Sequence, residues 1–192
     1  MIMKEALYTI IVHSENIAGV LNKVTAAFTR RQINIESLNV SASSIKGVHK
    51  YTITSRTDAT NIERIVQQIA KNIDVIQAQY FLDSGVIHRE VAMYKLSTDI
   101  LQSQPAISKI IRKYSAHIIE VNEVFSILEM SGVDEEITAL YEELKVFSTI
   151  LQFVRSGRIV ITTSSFEHVD EFLESRDKAH KLSRESCWSK DE

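Results

Sequence analysis

Apolar residues along this chain alternate between two rhythms, and the alternation runs through twice. Leu7 to Val12 is a continuous apolar run rich in β-branched residues, as expected for a strand buried on both faces. Val20, Leu21, Val24, Ala27 and Phe28 then recur at helical spacing as a one-sided stripe. Ile33 to Ser44 reads as a strand whose apolar set shifts phase between Ile35 and Leu38, a sign of a bulge or twist. Ser43 to Gly47 forms a turn, and Val48 to Ser55 returns as a strand with Tyr51 and Ile53 on one face. Thr60-Asn61-Ile62-Glu63 has the form of a capping box, and Ile62, Ile65, Val66, Ile69 and Ala70 make the next stripe. Ile73 to Leu82 closes with a strand. The order is βαββαβ, a split-βαβ unit with an antiparallel sheet and both helices on one face, over residues 5–83.

Asp83-Ser84-Gly85 interrupts the pattern, which then begins again. Val86 to Leu96 reads as a strand. Pro105 suits the first turn of a helix, with Ile107, Ile110, Ile111 and Tyr114 behind it. His117 to Val121 and Val124 to Met130 follow as strands, Asp134 caps a helix carrying Ile137, Leu140, Tyr141 and Leu144, and Phe147 to Val154 is a strand. The expected fold class is α+β: two ferredoxin-like βαββαβ domains in tandem, at 5–83 and 84–160. An extension follows over 161–192, partly helical or disordered. Ile159-Val160-Ile161 follow Gly157 across this boundary, and then comes a polar helix candidate from Ser165 that carries Phe166, Val169, Phe172 and Leu173. From Arg176 to Glu192 it is mostly charged.

Candidate chemistry concentrates where the first strand meets the first helix, in Ser14-Glu15-Asn16-Ile17-Ala18-Gly19-Val20-Leu21. A loop at a helix start has free backbone N–H groups and a positive dipole end, which suits a small carboxylate. Asn16 both donates and accepts, and Gly19 lets the backbone approach a ligand without a Cβ in the way. A second Asn, Asn34, opens the next β run beside Ile35. No nucleophile or acid/base pair accompanies these residues, so they read as a binding site rather than a reaction centre. The bland reading makes Asn16 and Gly19 simple helix-start residues and Asn34 a strand cap.

Composition narrows the partners. A formal net charge of −3 gives no bulk attraction to nucleic acid or to an anionic membrane. The six histidines (His13, His49, His88, His117, His168 and His180) show no metal-ligand spacing, and the single cysteine, Cys187, builds no disulfide framework. Asp134-Glu135-Glu136 suits a helix dipole rather than a metal. Met1 to Glu5 is too short and too soon acidic for a signal peptide, and no apolar run reaches about 18 residues, so the cytoplasm is expected.

Taken in order, Asn16-Ile17-Ala18-Gly19-Val20-Leu21, Phe28-Thr29-Arg30-Arg31, Asn34-Ile35-Glu36-Ser37-Leu38, His88-Arg89-Glu90-Val91 and Val154-Arg155-Ser156-Gly157 resemble the small regulatory subunit of acetolactate synthase, also called acetohydroxyacid synthase. The resemblance runs from about Tyr8 to Gly157. It implies an N-terminal ACT domain, effector-binding and dimerising, followed by a second ferredoxin-like domain. Two stretches depart from the usual family pattern. Gln32-Ile33 stand where a Gly and an aromatic are usual, and Ile17-Ala18 replace acidic or polar residues. Both touch the effector loop.

The resemblance implies a non-catalytic chain that binds the thiamine-diphosphate-dependent large subunit, raises its activity and confers feedback inhibition by a branched-chain amino acid, most often valine. It puts no cofactor in this chain: thiamine diphosphate, Mg and FAD are expected on the large subunit. The effector would lie between two ACT domains of a homodimer, near Asn16, Ile17, Ala18, Gly19 and Val20 of one copy and Asn34 and Ile35 of its mate, with Ile17, Ile33 and Ile35 around its side chain. Arg155-Ser156-Gly157 reads equally as a partner contact or as the chain's exit from a strand. A free-standing tandem-ACT amino-acid sensor acting on gene regulation is the competing reading. Such sensors usually keep the ligand loop in both repeats, whereas Gln102-Ser103-Gln104-Pro105-Ala106 lacks Asn-x-x-Gly. RNA binding needs an aromatic strand motif that Gly47 to Ile53 does not supply.

Overall fold

The computed structural model describes residues 5–163, so the expected tail helix from Ser165 lies outside the described residues. The chain divides into two compact units. One is His88–Val160; the other holds the residues through Ile87 and the described residues from Ile161 on.

The first unit runs β1 (Ala6–Glu15), α1 (Val20–Thr29), β2 (Ser37–Ala42), β3 (Val48–Thr57), α2 (Ala59–Ala70) and β4 (Val75–Leu82), with a short 3₁₀ turn at Asp83–Gly85. Its antiparallel sheet has the order β2-β3-β1-β4, so the first strand is central and β2 and β4 are the edges. β1 and β3 pair along their whole length, from Ala6 opposite Thr57 to Glu15 opposite Val48. Alternate side chains of the central pair, Tyr8, Ile10, Val12, Tyr51 and Ile53, meet the helical stripes Val20-Val24-Ala27-Phe28 and Ile62-Ile65-Val66-Ile69 in one buried cluster. Each such aliphatic side chain contributes about 1.5–3 kcal/mol by leaving water. Leu21 and Ala70, the other members of the expected stripes, are exposed instead.

Two local expectations are corrected here. Asp58, not Thr60, caps α2: its side chain accepts from the N–H groups of Thr60 and Asn61 at 2.9 Å, and Glu63 is left to accept from Gln67. The strand expected from Ile33 begins only at Ser37, and its ladder with β3 runs without a bulge. The cause is the way α1 ends. Gln32 sits at φ +53°, its N–H donates to the Thr29 carbonyl at 3.0 Å, and the Ile33 N–H reaches back to the Phe28 carbonyl at 3.2 Å. This reversal with a left-handed residue closes the helix and consumes the residues before the strand. The apparent phase shift at Ile35 and Leu38 marks that boundary.

The second unit runs β5 (Val86–Ser97), α3 (Thr98–Ser103), α4 (Pro105–Lys113), β6 (His117–Val121), β7 (Phe125–Gly132), α5 (Asp134–Lys145) and β8 (Ile150–Arg155), then β9 (Ile159–Thr162). The sheet order β6-β7-β5-β8 repeats that of the first unit, and β9 adds to β5. Ala92, Tyr94, Leu96, Leu128 and Met130 pack against Leu101, Ile107, Ile111, Ile137, Leu140 and Leu144. The repeat extends to details. The register slips near the end of the first strand in both units, at His13/Ser14 against β4 and at Lys95/Leu96 against β8. Helix α4 ends as α1 does, with Ser115 at φ +53° and the Ala116 N–H on the Ile111 carbonyl. Helix α3 was not expected from the sequence. Asp134 is the first helical residue of α5 rather than its cap, and Glu136 reaches back to accept from the Val133 N–H at 3.1 Å. The strand expected from Val124 begins at Phe125, because the Asn122 side chain takes the N–H groups of both in a turn.

Gln32, Ser115 and Ser148 (φ +52°) are non-glycine residues held in the left-handed region at helix exits. Replacing Gln32 by Gly relieves a conformation disfavoured by about 1–2 kcal/mol, offset in part by the entropy glycine gains when unfolded. Gln32→Gly should therefore stabilise the chain by about 0.5–1 kcal/mol, read as a higher urea midpoint at unchanged slope.

Candidate functional site

The loop between β1 and α1 is built by its backbone. The Glu15 N–H donates to the Asp74 carbonyl and the Asn16 N–H to the Gly47 carbonyl, both at 2.9 Å, which ties the loop to the start of β4 and to the β2–β3 turn. Gly19 immediately precedes α1 at φ +89°, where a Cβ would be strained, although it would meet nothing within 4 Å. Space is open above it. The Ile17 carbonyl accepts from the Val20 N–H at 3.4 Å, and among the described residues no acceptor takes the N–H groups of Ala18 and Gly19. These two groups, with the dipole of α1 behind them, give the loop its capacity for a small anion.

Side chains divide the same loop. Val20 is fully buried and belongs to the core, whereas Asn16, Ala18 and Gly19 are exposed and Ile17 is 50% exposed. Leu21, 39% exposed, is the second residue of α1, so an exposed aliphatic residue stands on each side of Gly19 along the chain. Sequence periodicity had assigned Leu21 to the core; only its place at the very end of the helix frees it. Lys23 in the next turn bridges to Asp74 at 2.5 Å and fixes α1 to the start of β4.

Asn34 and Ile35 are not beside this loop. β2 starts where β3 and β1 carry Thr54 and Thr9, and it ends level with Ser14. Asn34 precedes β2 and so lies toward the Thr9 end of the sheet, while the Gly19 loop follows β1 at the Ser14 end. The ten residues of α1 lie between them, a span of about 15 Å. Asn34 is exposed, and its carbonyl accepts from the Ser55 hydroxyl at 2.7 Å. Ile33 and Ile35 pack, half-buried, against the core of their own unit.

The other two sequence motifs meet each other. His88-Arg89-Glu90-Val91 and Val154-Arg155-Ser156-Gly157 lie on or just beyond the paired strands β5 and β8. Glu90, 5% exposed, accepts from Arg155 Nε at 2.8 Å and from its Nη2 at 2.7 Å; Arg155 also pairs with Asp134 at the start of α5, and the buried Arg158 lies 3.8 Å from Glu90. Ser156 closes the join, donating its N–H to the Val91 carbonyl and accepting the Val91 N–H on its hydroxyl. A buried carboxylate between two guanidinium groups is tolerable because it is paired and hydrogen-bonded. Glu90 and Asp134 would be hard to single out from sequence, since their partners stand far along the chain. Among the described residues no group of His, Cys, Asp and Glu could hold a metal ion, and no helix is long and apolar enough to cross a membrane.

Comparison with known proteins is consistent along the chain. Residues 8–74 match the family described as "ACT domain", and residues 89–164 match the family described as "Small subunit of acetolactate synthase". The acetolactate synthase small subunit of Bacillus subtilis is 30% identical over 143 residues, 74% of this chain and 82% of that protein. That of Mycobacterium bovis is 31% identical over 160 residues, 83% of this chain and 94% of that protein. The crystal structure of the acetolactate synthase small subunit from Thermotoga maritima shares the fold, with a TM-score of 0.75 at 24% identity over 83% of this chain and 99% of that one.

Tyr94 gives the second unit a pH signature. Burial pushes its hydroxyl up to about 12, against the opposing pull of Arg155, and the hydroxyl donates to the Ile137 carbonyl at 2.9 Å. The folded chain therefore keeps this proton to higher pH than the unfolded chain, whose tyrosines titrate near about 10. The contribution is complete below pH 10 and is lost as pH rises from 10 toward 12. Tyr94→Phe should cost about 1 kcal/mol at neutral pH and lose less stability than the parent between pH 10 and 12, as measured by urea unfolding.

Proposed function

The chain belongs to the acetolactate synthase small-subunit family, and we propose from this that it is a regulatory, non-catalytic subunit. It binds the thiamine-diphosphate-dependent large subunit, stimulates it, and confers feedback inhibition by a branched-chain amino acid, with valine first among the candidates. The pathway served is valine, leucine and isoleucine biosynthesis, in the cytoplasm. Residues 5–83 act as the effector-binding and dimerising ACT domain, and 84–160 as the second domain. Thiamine diphosphate, Mg and FAD belong to the large subunit.

One observation carries the effector site: the loop at Gly19, with open space above it, two uncommitted N–H groups and the aliphatic pair Ile17 and Leu21. The carboxylate of an amino acid meets the N–H groups of Ala18 and Gly19, and Asn16 takes part in holding the ammonium. Ile17 and Leu21 face the aliphatic side chain.

Asn34 and Ile35 join this site only from a second copy, because the length of α1 separates them from the loop of their own chain. The sheet offers a route. β2 is an edge, and two β2 strands paired antiparallel about a two-fold axis bring the Ser37 end of one beside the Ala42 end of the other. The Ala42 end adjoins the turn at Gly47, to which Asn16 is bonded. One copy's Asn34 then approaches the other's effector loop, and the two-fold repeats the site. Effector binding ties the copies together. Inhibition follows when the effector binds the inhibiting arrangement better than the activating one, by a typical coupling of about 1–3 kcal/mol.

The test is reconstitution with the large subunit from the same cell. This chain alone should make no acetolactate, and adding it should raise the large subunit's rate. Gly19→Asp puts a carboxylate where the ligand's own would sit, and Asn34→Ala removes a contact worth about 1–3 kcal/mol if buried with the ligand. Both variants should lose valine inhibition and keep stimulation. Unchanged valine titrations in both would refute this site. Lack of stimulation of any large subunit would favour a free-standing sensor. A strictly monomeric chain at micromolar concentration, with and without valine, would refute the shared site.

A further inference from the structure

The two repeats tie down the loop after their first strand in the same way, and only one of them adds charge to the tie. In the first unit the Glu15 N–H donates to the Asp74 carbonyl and the Asn16 N–H to the Gly47 carbonyl, both at 2.9 Å. In the second, the Ser97 N–H donates to the Thr149 carbonyl at 2.9 Å and the Thr98 N–H to the Val124 carbonyl at 3.2 Å. Thr149 thus stands in the place of Asp74. Its side chain is fully buried, with a hydroxyl that has no hydrogen-bond partner among the described residues. Asp74 carries a carboxylate instead, and Lys23 Nζ lies 2.5 Å from its Oδ2. The backbone tie therefore does not require that carboxylate. Nor does the ion pair add much stability, since its lysine side chain is 51% exposed.

The charge accompanies the open loop. In the first unit α1 starts directly after Gly19, whereas the second unit fills the corresponding connection with α3, whose Leu101 is buried. Lys23 lies one turn along α1 from Gly19, about 6 Å up the axis, and its N–H donates to the Gly19 carbonyl at 3.3 Å. Helical side chains lean toward the helix N-terminus, so a lysine at this position leans toward the Gly19 turn. Asp74, its side chain 17% exposed, draws the ammonium to the start of β4. Beside the loop and its ties, Glu15 and Asp74 are balanced by Lys23 and Lys46, and the first turn of α1 holds no acidic residue.

We propose that Asp74 sets the charge specificity of this loop by holding Lys23, an inference that rests on the effector site described under the proposed function. With its α-carboxylate on the N–H groups of Ala18 and Gly19, an amino acid with an uncharged side chain needs no further ionic partner. A side-chain carboxylate, as in aspartate or glutamate, meets a lysine already neutralised and a second carboxylate beside it. It gives up hydration and gains no cation. Asp74 is a positioning residue, and it acts through the Lys23 ammonium. Removing its charge frees that ammonium for an acidic side chain.

Calorimetric titration of the full chain with valine, aspartate and glutamate tests this. The parent should bind valine and show aspartate and glutamate at least tenfold weaker. Asp74→Asn keeps the backbone carbonyl that takes the Glu15 N–H, and it should tighten aspartate or glutamate at least tenfold relative to valine. That gain should shrink in high salt and vanish when Lys23→Met is added. Lys23→Met alone, which leaves Asp74 untouched, should still exclude both acidic ligands. An unchanged preference in Asp74→Asn would overturn the inference. So would an equal loss of all three ligands, the mark of a purely structural role, or a gain that survives Lys23→Met. A parent that binds none of the three would instead remove the effector site itself, and this inference with it.

Discussion

The first domain depends on one packing arrangement: two helical stripes laid against alternate side chains of two central strands. Because β1 and β3 are paired over their full length, Tyr8, Ile10, Val12, Tyr51 and Ile53 present a continuous apolar surface, and α1 and α2 have one way to cover it. That constraint fixes the axis of α1. It also fixes which backbone groups are left over, since the first N–H groups of a helix have no partner within it. The open loop at Gly19 is thus a by-product of core packing: the core places Val20, and Gly19 supplies the left-handed turn by which the chain enters the helix.

The second domain repeats the packing and changes what surrounds it. Strand order, register slip and helix exit recur, yet the connection after β5 holds α3 and Pro105 instead of a glycine turn. The chemistry shifts to the opposite end, where Glu90, Arg155, Arg158 and Asp134 join two strands and a helix. A buried ion cluster of this kind tolerates little displacement, because removing one partner strands the charge of another. Two domains with one fold therefore divide between an open loop and a closed, charge-locked end.

Periodicity made the architecture legible, since both the period-two runs and the one-sided stripes are consequences of burying one face. Boundaries were harder. The strand expected from Ile33 was wrong because a left-handed Gln32, which apolar patterning cannot reveal, uses up the following residues. Leu21 keeps perfect helical spacing with Val24 and Phe28 and still faces out, because it lies at the helix end. For the candidate site, Asn16 to Gly19 was readable as one contiguous loop at a helix start. That Asn34 lies a helix length away follows only from the fold. The Glu90 cluster was visible as two motifs but not as one object, since strand pairing brings them together.

On the proposed function, transmission from the loop needs no long pathway. Asn16 is bonded to Gly47, in the turn that leads out of the edge strand β2, and Glu15 is bonded to Asp74, at the start of the other edge strand, with Lys23 holding the same aspartate from α1. A ligand seated on the loop therefore bears on both edges of the sheet through single hydrogen bonds. Edges are where a sheet meets other chains, because their backbone groups are unpaired. A small ligand has few contacts with which to move an equilibrium, and it shifts one only by its differential affinity for the two states. On the proposed function, with the site shared by two copies, those contacts act on the arrangement of whole subunits rather than on the rigid core of one, and interfaces repack between discrete states at lower cost than interiors deform.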